Sequence, residues 1–239
     1  MLLVTLPTAL AIASIHIFSR LLGWLDGIPR ARLLSAAGGI SVSFVVVRLL
    51  PGLGEHVRVL GETVETDIGA VPYPVYLLTL LGILVFFGIE RLVIRSRAEA
   101  AGDKPSAGAF WLQMSAYAGL NFTVGYLLVE MFARGVRAMI VFAIAMGLKF
   151  IINDRSLHRE HRQRYDGIGR LILAAAVVSG WAIAIGHPLP PGLLAVLQAF
   201  LAGAVLLNVF KEELPGEQQS RFWPFALGAI GYTVLLLLI

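Results

Sequence analysis

Cysteine is absent from the 239 residues, which removes disulfides, thiolate metal sites and thiol redox chemistry together; any metal has to be held by His, carboxylate or amide groups. Charge is scarce as well. Only 14% of residues are Asp, Glu, Lys or Arg, 58% are hydrophobic, and the mean hydropathy is +0.82, too little charge to solvate the surface of a water-soluble domain. There is no Walker loop, no nucleophile elbow, no HExxH and no dinucleotide fingerprint, Gly167-Ile168-Gly169 being too short to count. An intramembrane enzyme is not expected, because no His/Glu or Ser/Lys pair recurs at helical spacing in the apolar runs. A net charge of +4 would suggest nucleic acid in a soluble protein, but in so apolar a chain Lys and Arg set topology instead, and no nucleic-acid partner is expected.

What is present is a series of eight apolar runs, at 2–25, 33–50, 75–94, 109–133, 136–153, 168–186, 192–210 and 222–239. Each is of a length that reads as a membrane helix, so the expected fold is an all-α polytopic membrane protein with eight transmembrane helices. It forms a single transmembrane domain over 1–239, grouped as 1–95, 109–154 and 168–239. Nothing basic precedes the first run, which therefore lacks the n-region of a signal peptide and reads as a retained helix. The connection 51–74 carries Glu55, Glu62, Glu65 and Asp67 against the single Arg58; 95–108 reads as an unstructured Ala/Gly/charge linker, and 155–167 as an Arg-rich loop. Eleven Lys and Arg fall in connections on one side of such a bundle and three, Arg58, Arg134 and Arg137, on the other. The positive-inside rule then puts both termini outside the cytoplasm, in what is expected to be a bacterial inner membrane.

The fourth run holds a polar island, Asn121 and Thr123, with Gln113 before it and Glu130 after it. Polar groups at mid-span must face protein or water, since hydrocarbon leaves them unpaired at a cost of several kcal/mol or so each. Asn121 and Thr123 read either as a polar path or as interhelical packing worth about 1 kcal/mol. Lys149, inside the fifth run, is either a functional cation or a side chain snorkelling to the surface. Arg134-Gly135 joins runs four and five so tightly that they lie antiparallel. An internal echo links run two, with Gly39 twelve residues before Pro51, to run seven, with Gly203 twelve before Pro215; the two would run in opposite directions, as in inverted-repeat transporters.

Asn121-Phe122-Thr123-Val124-Gly125 is similar to the fourth-helix signature H-N-F-x-[DE]-G of the ZIP (Zrt/Irt-like) divalent metal transporters. Ala37-Gly38-Gly39 through Pro51 resembles that family's second helix, and Phe200 to Ala204 with Glu213-Leu214-Pro215 its seventh. The resemblance covers most of the chain and implies a 3+2+3 bundle with inverted repeats, in which helices four and five form the metal path. It also implies ligand positions, and those are occupied here by Leu120 and Val124 in run four and by Gly147 and Ile151 in run five. A dication among Leu, Val, Gly and Ile finds nothing to replace its water shell.

The expected function is therefore a ZIP-like membrane protein with a degenerate metal site, which carries another solute or has a sensing or interaction role. The alternative is a zinc-type transporter with displaced ligands, Asn121 with Glu130, Asn153 or Asp154 or the loop histidines His158 and His161. No cofactor is expected outside that alternative. The expected partners are the lipid bilayer, a small solute or ion, and a second copy, the small-residue faces around Gly38-Gly39 and Gly203 permitting tight helix pairing within or between subunits. Lys149 is expected to take the place of the missing metal, held by Asn121 or a carboxylate. His158 and His161 read as a solvated face. His16 and Arg20 read as interfacial or interhelical, Glu90, Arg91, Arg48 and Arg170 as span-end charges that snorkel or pair, and Glu212 and Glu213 as solvated charge or an ion entrance.

Overall fold

The computed structural model describes residues 1–19, 30–52, 54, 73–99, 106–213 and 222–238. Arg20, the acidic connection 55–72 and Leu214-Pro215-Gly216 lie outside the described residues, as do the side chains of Glu212 and Glu213. The described residues form eight α-helices and two π-helical stretches: α1 (Leu2–Ile17), α2 (Arg30–Ser43) continuing as a π stretch (Phe44–Leu49), α3 (Tyr73–Glu99), α4 (Ala107–Ala133), α5 (Val136–Arg164), a second π stretch (Tyr165–Gly169), α6 (Arg170–Gly186), α7 (Pro191–Glu213) and α8 (Phe222–Leu237). No strand occurs among them.

Among the described residues five helical stretches are long and apolar enough to cross a membrane, one being the continuous Val136–Gly186, while Leu2–Ile17 and Phe222–Leu237 are shorter apolar helices. Their outward faces carry large apolar side chains, among them Leu77, Leu81, Leu84 and Phe87 on α3 and Leu227, Ile230 and Val234 on α8. A perimeter so apolar is not tolerated in water. The protein is membrane-embedded.

Two connections differ from the sequence reading. The segment 95–99 is the last turn of α3 rather than linker, and Arg95 pairs with Glu99 four residues on at 2.7 Å, a spacing that favours helix. Segment 155–164 is helical too, continuing α5, and the chain bends at Arg162 with φ 29 and ψ −98. Periodicity explains this: Leu157 and His161, four residues apart, are both buried, so the Arg-rich stretch has an inner face as well as a wet one.

Three helix pairs are drawn together by reciprocal glycines. A Cβ on Gly125 of α4 would run into the carbonyl oxygen of Val177 on α6, and one on Gly180 of α6 into that of Phe122 on α4. Gly39 of α2 and Gly228 of α8 stand in the same relation through Phe225 and Ala36, and Gly82 of α3 and Gly203 of α7 through Phe200 and Thr79. Lipid supplies no hydrophobic drive between helices, so close backbone approach of this kind is what packs them. The small-residue faces of Gly39 and Gly203 are thus used inside the protomer. Helix α4 sits at the centre, with α1, α3, α5, α6 and α7 against it, and that position makes its polar island a core feature.

Candidate functional site

The island closes on a residue from the far end of the sequence. His16, in the last turn of α1, is fully buried, and so is Asp154 on α5. The His16 Nδ1 lies 2.9 Å from both carboxylate oxygens of Asp154, and its Nε2 lies 2.7 Å from Oδ1 of Asn121 on α4. Asn121 is itself oriented: its Nδ2 donates to the Tyr117 carbonyl one turn back at 2.7 Å, leaving Oδ1 to face the imidazole. Both edges of the ring therefore meet acceptors, an arrangement fully satisfied only when both nitrogens carry hydrogens, because a neutral imidazole has one N–H to give. Phe150 packs against the ring with centroids 4.9 Å apart, and Leu120, Val124 and Phe150 belong to the buried apolar core.

Three helices supply one residue each, α1 being remote in sequence from the consecutive α4 and α5, and local packing explains why they meet. Gly147 faces α1 so closely that a Cβ there would lie 3.2 Å from Cδ1 of Ile15, the residue before His16. Arg170 at the start of α6 donates to the Ile17 carbonyl at 3.0 Å, satisfying one of the free acceptors at the C-terminus of α1. Trp181 of α6 donates to Thr5 Oγ1 at 3.0 Å and holds the other end of that helix.

Of the residues singled out from sequence, Asn121 and Asp154 come together. Thr123 does not join them: its hydroxyl donates to the Gly119 carbonyl at 2.9 Å, within its own helix. Glu130 lies nine residues beyond Asn121 on α4, about 13 Å along the axis, and is away from the network. Lys149 is fully buried rather than reaching a surface, so it does not snorkel. Of the two holders expected for it, Asn121 or a carboxylate, Asn121 has its Oδ1 turned to His16. Asn153 is 1% exposed, yet neither its Oδ1 nor its Nδ2 has a hydrogen-bond partner, an arrangement that costs about 1–3 kcal/mol. Leu120 and Val124 are core residues, Gly147 is the contact with α1, and Ile151 is half-buried.

The loop histidines separate. His158 is exposed and pairs with Asp166 at 2.8 Å, whereas His161 is buried under Phe110 and donates from Nε2 to Oε1 of Gln113. The amide of Gln113 in turn donates to Glu160 at 2.8 Å. Burial, with Arg97 and Arg164 nearby, lowers the His161 pKa to about 4. The solvated-face reading thus holds for His158 and fails for His161. Among the described residues no three His, Asp or Glu side chains gather in a way that could hold a metal ion.

His16 is the member of the site that sequence reading left out of its candidates. The available signal was an ionisable residue inside an apolar run, four positions before Arg20, and its partner could not be read because it lies 138 residues away. Compared with protein-family models and with curated proteins, the chain matches none of them.

Proposed function

We propose that this chain is a ZIP-like integral membrane protein in which an internal His16–Asp154 pair, capped by Asn121, stands where the relatives it resembles hold a metal. It is not an ordinary zinc transporter and not an enzyme; it carries a different solute through the same helical frame or serves a sensing or partner-binding role. The observation that carries this reading is the closed network: the amide at the Asn121 position and the nearest buried carboxylate are both spent on an imidazole from α1. The His16 ring thus fills the space beside the Asn121 oxygen that a metal would need.

The inverted repeat draws support from the glycine contacts. Exchanging the first three helices for the last three turns the α2–α8 pair into the α7–α3 pair, and both are built on reciprocal glycines. Eight spans, both termini outside a bacterial inner membrane, and pairing with a second copy belong to the same proposal. One observation favours the second reading, a metal transporter with displaced ligands: the unpartnered Asn153 next to Asp154 offers a free amide oxygen.

Metal content of the purified protein, together with radiotracer zinc uptake in proteoliposomes, separates the two. The proposal expects no stoichiometric metal and uptake equal to that of empty vesicles. Saturable uptake that is lost in Asp154→Asn would establish the second reading in its place.

A further inference from the structure

The turn between α4 and α5 opens into a cavity of about 280 Å³, lined by Arg48 from the π stretch after α2, by Arg134 and Arg137 on either side of the turn, and by Phe44 and Leu236 among its apolar walls. No carboxylate lines it among the described residues. The three guanidiniums make no hydrogen bond or ion pair among the described residues, so the cavity gathers three permanent positive charges with no counter-charge among its described lining residues. Two features of the backbone add to this field. Helix α5, 29 residues long, begins at this cavity with Gly135 as its N-cap and no side chain accepting from its first N–H groups, which leaves donors and the positive end of the helix dipole facing the same space. Gly135 takes φ +124, a value L side chains rarely adopt, and this lets the chain reverse with an arginine on each side of the turn. Arg48 is carried by a π stretch, a helix irregularity often found at functional sites.

The geometry points to a binding site for a single phosphate-type oxyanion in the Arg48–Arg134–Arg137 cavity. Guanidinium forks match the oxygens of phosphate. The volume lies just under the ~300–1,000 Å³ usual for drug-sized ligands and has room for one phosphoryl group. The apolar walls are compatible with a lipid headgroup as well as with the free ion.

The test uses the full chain in detergent micelles, with binding of phosphatidylglycerol measured by native mass spectrometry against phosphatidylcholine, and binding of inorganic phosphate by calorimetry. The triple variant Arg48→Gln/Arg134→Gln/Arg137→Gln is expected to weaken the bound species at least tenfold, whereas Arg159→Gln, an exposed arginine elsewhere on α5, leaves it unchanged. Should the triple variant melt early, Arg134→Lys and Arg137→Lys, which keep the charge and lose the fork, are expected to weaken binding by a smaller factor. Retention of phosphatidylglycerol without phosphate binding assigns the site to a headgroup; competition by free phosphate assigns it to the ion. Absence of both, or binding indifferent to the triple variant, overturns the inference.

Discussion

His16, Asp154 and Asn121 satisfy one another in a place where water does not reach, and that makes each of them dependent on the others. Removing one member of a buried pair strands the remaining charge, so Asp154→Asn is expected to cost about 3 kcal/mol of stability, read as a lower melting temperature in a fixed detergent. Asn121→Leu removes an interhelical hydrogen bond worth about 1 kcal/mol in membranes and should cost correspondingly less. A double-mutant cycle over His16→Leu and Asp154→Leu is expected to return a coupling of about 1–3 kcal/mol; a coupling near zero would show that the contact contributes nothing. Asn153→Leu is expected to go the other way, neutral or stabilising by about 1 kcal/mol, because it removes an amide with unmet hydrogen bonds. At this scale the sequence revealed polar residues in apolar runs but not which of them pair. Asn121 was visible as an oddity, while its partner His16 depended on how α1 lies against α4 and α5, a relation no local spacing encodes.

At the scale of elements, apolar length located the helices well, and charge misplaced their ends. Segments 95–99 and 155–164 read as connections because they are charged, yet their i,i+4 pairs and the buried Leu157 and His161 keep them helical. The His161 contact, beyond the apolar run of α5, carries a pH consequence. Its folded pKa of about 4 lies below the ordinary 6.5, so unfolding takes up a proton at acidic pH. The stabilisation is complete above about 6.5 and declines as pH falls toward about 4. Melting temperature is therefore expected to drop over that window, and His161→Gln is expected to flatten the drop. Helix pairing gives a second prediction. Gly125→Ala and Gly180→Ala would force α4 from α6 and are expected to cost about 1–3 kcal/mol, whereas Gly88→Ala and Gly231→Ala, with nothing within 4 Å of a new Cβ, should be neutral or gain up to about 1 kcal/mol from helix propensity.

Across the whole molecule, the three glycine-paired couples set the bundle, and α4 at its centre places Asn121 where two other helices reach it. The echo between Gly39 and Gly203 was legible from spacing, but the glycines that answer them, Gly228 and Gly82, emerge only when helices remote in sequence are laid together. The same holds for the site as a whole. That Leu120, Val124, Gly147 and Ile151 stand at the positions the resemblance assigns to metal ligands was plain from the sequence, whereas the imidazole near Asn121 was not. The central claim is that His16 closes this site against a metal. It is tested most directly by the ¹⁵N resonances of the His16 ring in lipid bilayers, recorded as zinc is added. The account predicts ring signals that stay in place through stoichiometric zinc and move when Asp154 is changed to Asn. A zinc-dependent shift of His16 in the unaltered protein would contradict it.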